Sequence, residues 1–444
     1  MMLKGCLEEK KVTKDCKLNF SGNVQKIGDG QKMIGVGWLE GFKTDLKESL
    51  SQSNNWDRVA IIFWLLGPFL LLIERSPADL WLSLLALAFL VRSIFTRNFQ
   101  WMGIFWVQAT LFFWLVSLLA AALSTMPGYS LGETVAWIRF PLFAAACAFW
   151  LSGNPKLSNL FLLSSGTALL MICIILTAEI LIIGPQNGRL SWPYGDLMPG
   201  NFIAKASLPA FIIASALSLC LSGRRSFALG LLSAYALFSC LMTGERVNFL
   251  IILCSGTLAI LLVGQSLKKI YVILAGLAGI VGAGFLSNPY VLYRFHEKLF
   301  SDLAFGPQSD YFRLMGGGLK IFSDNVLFGI GPGNYRFLSH DLLADSQMFR
   351  PDNHPHNFYI QLLAETGLMG LLAGLILIFA IFYKVASISK NSDDKPISRI
   401  LFIVPLAFFW PVAATADFFG QWNNVFMWTS LGFCLAYAQQ RKPL

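Results

Sequence analysis

Charge is scarce in this chain. Only 13% of its 444 residues are Asp, Glu, Lys or Arg, about half the share of an average soluble protein, which excludes an ordinary water-soluble domain. Histidine is scarcer still, with four residues in all. The eight cysteines are Cys6 and Cys16 near the N-terminus, and Cys147, Cys173, Cys220, Cys240, Cys254 and Cys434 inside apolar runs or at their ends. None falls in an expected outside loop, so neither a disulfide framework nor a Cys-based metal spacing follows. No apolar stretch follows the first lysines, so no cleavable signal peptide is read. Also missing are an H-E-x-x-H motif, an outward D-x-D pair, and a glycine loop followed by Lys-Ser or Lys-Thr.

Apolar sequence is what the chain has in abundance: 55% of residues are hydrophobic and the mean hydropathy is +0.60. Runs long enough to span a bilayer, roughly 17–25 residues each, fall at 59–74, 78–96, 102–125, 134–151, 158–183, 201–221, 226–243, 247–263, 270–286, 358–386, 398–415 and 423–439. The expectation is an all-α integral membrane protein of about twelve transmembrane helices. The first and eighth runs are short, so eleven or thirteen fits as well.

Basic residues in the short loops set the orientation. With the N-terminus cytoplasmic, the inside loops hold Arg92, Arg97, Lys156, Arg224, Arg225, Lys268, Lys269, Lys384, Lys390, Lys395 and Arg399, and the tail adds Arg441 and Lys442. The short outside loops near 75–77, 126–133 and 416–422 hold Arg75 alone. The net charge of +9 is then mostly inner-leaflet anchoring, and no nucleic-acid partner is implied. Four segments are expected. Residues 1–57 form a polar cytoplasmic extension, 58–286 the first nine spans, 287–357 one long outside loop with short helices, and 358–444 the last three spans and a short cytoplasmic tail.

All four histidines, His296, His340, His354 and His356, lie in that long loop. Histidine exchanges protons near neutral pH, so their confinement to one external segment points to a reaction there, although loops collect polar residues anyway. After His354 and His356 the chain enters an apolar helix that carries Asn357, Gln361 and Glu365 on one face of its first turns. That face cannot meet lipid. It is either a polar contact between helices or a stripe that holds His356 in place. Arginines form a second group: Arg189 in the 184–200 loop, Arg246 in TGERVNF, and Arg313 in SDYFRLMGGGLKIF. Converging guanidinium groups match a diphosphate, while each one singly also reads as a snorkelling or solvated side chain. Arg139 and Glu179 are further charges inside spans, and a pair with each other is one arrangement open to them.

FGIGPGNY (328–335) has too few glycines in register for a dinucleotide fingerprint and reads as a tight turn. Asp352, His354 and His356 alternate as D-x-H-x-H, a spacing that a divalent metal accepts, but the supporting metal motifs are missing.

Four stretches together resemble the O-antigen ligase and O-antigen polymerase superfamily of bacterial envelope glycosyltransferases. They are HPHNFYIQLLAETGLMGLL, SDYFRLMGGGLKIFSDNVLFGIGPGNY, NGRLSWPYGDLMPGNFIA and TGERVNFL. The likeness covers roughly residues 60–440 and is strongest to O-antigen ligases. The long N-terminal extension departs from it, as does Glu245 before Arg246, where a small residue is more typical.

The resemblance implies an inverting, metal-independent and cofactor-free glycosyltransferase at the periplasmic face of the bacterial inner membrane. It would move a glycan from undecaprenyl diphosphate to the lipid A–core acceptor, or, in the polymerase branch, onto another lipid-linked repeat unit. By the same resemblance His356 takes the acceptor proton or orients the acceptor. Arg189, Arg246 and Arg313 bind the diphosphate and stabilise its developing charge, with Arg246 and Arg313 counted in the catalytic set. His354, Asn357, Gln361 and Glu365 support. A polysaccharide or lipid flippase would instead place its charges near the bilayer midplane and show an internal repeat. A scaffold would give no reason for clustered His and Arg.

Overall fold

The computed structural model describes residues 46–47, 50–51, 55–195, 199–263, 267–298, 309–344, 346, 348–387, 399–411 and 416–440. Among them the chain is all-helical with no β-strand; one isolated bridge joins Gln186 and Arg189. Most of the expected N-terminal extension (1–57) lies outside the described residues.

Helix α1 (Asn55–Ile73) leads into α2 (Arg75–Thr96), α3 (Phe105–Ala122), α4 (Pro127–Trp137), α5 (Arg139–Ala146) and α6 (Pro155–Ile182). A short helix at Pro199–Asn201 and a π turn at Phe202–Ala206 precede α7 (Leu208–Cys220), followed by α8 (Gly223–Met242), α9 (Arg246–Leu262) and α10 (Leu267–Ser287). The expected long loop carries α11 (Asp310–Asp324) and α12 (Tyr335–Leu342). The chain then runs through α13 (Phe358–Ala386), α14 (Ile403–Phe408) and α15 (Gln421–Gln440).

The protein is a multi-pass membrane protein. Among the described residues six helices are long and apolar enough to cross a membrane, and up to eight if each of two bent pairs is one span. Every one of the twelve expected runs overlaps a helix, but the count of twelve is not reached by length and apolarity. The physical reason is clearest at α15. It carries Asn423, Asn424, Thr429 and Ser430, all buried, yet it is also packed all round by protein through Val425, Phe426, Trp428, Leu431 and Cys434. A helix enclosed by others need not be uniformly apolar, provided that its polar groups are paired. Asn424 meets that condition: its Oδ1 accepts from Trp137 Nε1 (3.1 Å) and Trp428 Nε1 (3.0 Å), and its Nδ2 donates to the Phe418 and Gly420 carbonyls. The helices around it turn Leu80, Leu84, Leu87, Leu115, Phe112 and Phe379 outward, as lipid contact requires.

Arg139 and Glu179 do not pair with each other. Arg139 forms a two-pronged ion pair with Asp79 (2.9 and 3.1 Å). Glu179, buried near the end of α6, accepts from the backbone N–H groups of Ser191 (2.9 Å) and Trp192 (2.9 Å) and from Ser191 Oγ. It fastens the 184–195 loop onto the bundle.

The turn at 328–335 has a specific partner. Helix α13 is broken at Gly367 (φ 67°, ψ −167°), which frees backbone groups that cannot be left bare in a bilayer. The segment 326–331 takes them up. The N–H groups of Ile330 and Gly331 donate to the Ala364 and Glu365 carbonyls (2.9 and 2.8 Å), and those of Leu368 and Met369 donate to the Val326 and Leu327 carbonyls (2.8 and 3.3 Å). The buried Glu365 carboxylate accepts from Tyr335 N–H (3.1 Å) and Gln361 Nε2 (3.0 Å), and Gln361 reaches on to Asp417 (2.6 Å) and to Phe418 N–H (2.8 Å). Two glycine-rich stretches that look independent in sequence are two halves of one joint.

Candidate active site

A cavity of about 320 Å³ opens where α9, the 289–298 segment, α11 and the entry to α13 meet. Its wall includes Arg189, Lys205, Glu245, Arg246, Arg294, Tyr311, His354 and His356. Apolar side chains complete it, among them Ile251, Phe358, Phe408 and Met427.

Local backbone chemistry sets each polar group. Asn187 and Gly188 both have positive φ (50° and 71°), the dihedrals of a type I′ turn, and Gln186 and Arg189 exchange backbone hydrogen bonds across it (2.9 and 3.0 Å). Gly188 then abuts Gly244: a Cβ on Gly244 would lie 2.2 Å from the Gly188 carbonyl oxygen. Only glycine permits that approach. It brings Arg189 beside Glu245 and Arg246, and burial lowers the pKa of the Arg189 guanidinium. Arg294 closes the same corner, its Nε donating to the Gly244 carbonyl at 3.1 Å. The Glu245 carboxylate accepts from Gly200 N–H (3.0 Å), Asn201 Nδ2 (3.1 Å) and Asn248 Nδ2, and burial pushes it up to about 7.

His356 occupies the left-handed region (φ 56°), which costs a non-glycine residue about 1–3 kcal/mol and is found mainly where function demands it. The bend frees Asn357 to cap α13: its Oδ1 accepts from the N–H groups of Tyr359 (3.0 Å) and Ile360 (3.2 Å), and its Nδ2 donates to the Pro411 carbonyl. The His356 ring lies against the tilted ring of His354 (centroids 4.2 Å apart) and meets Tyr311 edge-on (6.4 Å). Its Nε2 stands 3.8 Å from Asp352 Oδ2, an ion-pair separation. The neighbouring His356 ring holds the Asp352 carboxyl down at about 2.

The structure therefore brings together Arg189, Arg246, His354 and His356. The polar stripe does not hold the His356 ring. Asn357 caps the helix, Gln361 and Glu365 hold the 328–335 joint, and the carboxylate at the ring is Asp352. Arg313 lies on α11 two residues beyond Tyr311 but is not among the lining residues. His296 and His340 are exposed and stand off the cavity as well. Among the described residues no three His, Cys, Asp or Glu side chains are grouped to hold a metal. Sequence reasoning passed over Lys205, Arg294 and Tyr311. Lys205 did carry a signal, a charge inside the 201–221 apolar run.

The wall opposes four cations, Arg189, Lys205, Arg246 and Arg294, to the single carboxylate of Glu245. The family model described as O-antigen ligase matches residues 209–375. The chain is similar to that family over this stretch, which is less than half of its length. The stretch runs from α7 past the Gly367 break and takes in Arg246, Arg313, His354 and His356, in agreement with the resemblance read from the sequence. No curated protein matches the chain. A chain from a solved structure described as "Structural coordination of polymerization and crosslinking by a peptidoglycan synthase complex" is similar with a TM-score of 0.46 and 14% identity. The likeness covers 76% of this chain and 98% of that one, and at such distance it carries no functional argument.

Proposed function

We propose that the protein is an inverting, metal-independent glycosyltransferase of the O-antigen ligase type, transferring a glycan from undecaprenyl diphosphate to the lipid A–core at the periplasmic face of the inner membrane. One observation carries the reading: a strained histidine paired with a carboxylate shares a cavity with clustered cations and an apolar wall. That combination fits a lipid-linked anionic leaving group beside a proton acceptor.

In this reading an acceptor hydroxyl oxygen attacks the anomeric carbon as its proton passes to His356. The bond from that carbon to the diphosphate oxygen breaks, and the electron pair stays on the diphosphate. Asp352 steadies the imidazolium that forms, as a carboxylate beside a catalytic histidine does. Arg189 and Arg246 meet the growing negative charge, where fixed cations in a partly dry site act most strongly. They supply the positive charge that a divalent ion gives in other transferases. A diphosphate role for Arg313 rests on its motif alone. The apolar wall receives the start of the polyprenyl chain.

The deciding experiment is complementation. Expression in a strain lacking its O-antigen ligase should restore the lipopolysaccharide ladder, and expression in a strain lacking its polymerase should not. The reverse pattern would assign the polymerase reaction.

A further inference from the structure

The chemistry above leaves two polar residues of the cavity lining, Lys205 and Asn423, without a role. Lys205 is 8% exposed within an apolar run, where a charged side chain is costly and usually functional. It sits in the π turn Phe202–Ala206, a local distortion frequent at functional sites. Helix α15 supports that distortion from outside. Ser430 Oγ donates to the Lys205 carbonyl and, at 3.2 Å, to the Ala206 carbonyl, satisfying acceptors that a bulge leaves over. Asn423, two turns earlier on the same face of α15, accepts from Lys205 Nζ through Oδ1 at 3.0 Å.

Asn423 is itself 5% exposed, and its Nδ2 has no hydrogen-bond partner among the described residues. A buried amide donor left bare costs about 1–3 kcal/mol. Asn423 and Lys205 both line the cavity, with Met427 of α15 beside them. Together they present unused donors to the cavity: the ammonium has N–H groups beyond the one that Asn423 uses, and the amide has its whole NH₂. The complement of such a pair is an anionic oxygen. The same cavity carries Arg189 and Arg246, and its remaining lining is largely apolar.

We propose that Lys205 and Asn423 form a second oxygen-binding point of this cavity, taking a phosphoryl oxygen of a polyprenyl diphosphate in the space that Arg189 and Arg246 also line. The inference rests on the reading of the cavity as a diphosphate-lipid site and extends it. Lys205 becomes a donor-binding residue, and the π turn the device that delivers it.

The test is direct binding of undecaprenyl diphosphate, and separately of undecaprenol, to the full chain in phosphatidylcholine nanodiscs. Lys205→Met should weaken diphosphate binding about 10- to 100-fold, the value of a charge-assisted hydrogen bond, and leave undecaprenol binding unchanged. Asn423→Asp, nearly identical in shape, hands Lys205 an internal counter-charge and should weaken binding in the same direction. It carries the test if Lys205→Met does not stay monodisperse. Diphosphate binding within about twofold of the parent in the folded variant would overturn the proposal. So would an equal loss for undecaprenol or for phosphatidylglycerol, which would make Lys205 a general lipid contact. A parent protein that binds no undecaprenyl diphosphate would instead remove the functional reading itself.

Discussion

His356 combines three properties that separately are unremarked: a left-handed backbone, a carboxylate at one ring nitrogen, and a place on the cavity wall. Removing a positioned proton acceptor costs about 10²- to 10⁴-fold, so His356→Ala should abolish detectable transfer in protein that remains monodisperse. Near-normal transfer would leave diphosphate activation as the whole mechanism. Arg189→Ala and Arg246→Ala should each lose about 10²- to 10³-fold. His340→Ala and His296→Ala, exposed and away from the cavity, should stay near parent activity in the same assay. Glu245 gives a pH prediction. Its carboxyl titrates near 7, so as pH falls through that value the cavity loses its one negative charge and an anionic donor binds more tightly. Glu245→Gln, neutral at every pH, should remove that share of the pH dependence in a titration of diphosphate affinity between pH 6 and 8, a window set by the raised pKa of a buried carboxyl.

At the scale of elements, the joint between the 326–331 segment and the break in α13 fixes where the long loop leaves and re-enters the bundle. Gly367 and Gly329 both have positive φ, and a Cβ on either would fall within 2.3 Å and 2.5 Å of backbone atoms of the opposite strand of the joint. Backbone cannot yield as a side chain does. Gly367→Ala and Gly329→Ala should therefore each destabilise the protein by about 2–4 kcal/mol, read as a lowered thermal midpoint in detergent. Activity should fall with stability, since the same joint carries the entry to α13 and so His356. Retention of the parent midpoint by Gly367→Ala would show that the two halves are not locked together.

For the whole molecule, the asymmetry of basic loops predicts that the segment with the cavity histidines faces the periplasm. In a cysteine-free chain, single cysteines at the exposed Ser323 and at Ser346 should react with an impermeant thiol reagent in spheroplasts, while one at Ser392 should not. Labelling confined to Ser392 would invert the molecule and move the cavity to the cytoplasm. Transfer by purified protein with lipid-linked donor should continue in excess chelator, because arginines provide the charge that stabilises the leaving group. Activity lost to chelation and restored by magnesium or manganese would assign Asp352, His354 and His356 to a metal instead.

By itself the sequence determined the class of molecule and singled out Arg189, Arg246, His354 and His356 among the polar residues that line the cavity. Bilayer-length apolar runs leave helices as the only way to satisfy the backbone. Histidines confined to one loop, with His356 immediately before a capping asparagine, mark the place where polar chemistry meets a helix start. Span counting was less legible, because a helix such as α15, enclosed by others, is released from the demand for uniform apolarity: its run at 423–439 reads as a span, yet the helix is not apolar enough to be counted as one. Pairing was decided only in three dimensions. Asp79 rather than Glu179 meets Arg139, Asp352 rather than the Gln361–Glu365 stripe meets His356, and Lys205 meets Asn423 across 218 residues. Side-chain partners depend on how helices rotate and pack against one another, and that rotation is a property of the assembled bundle, not of any local run of residues.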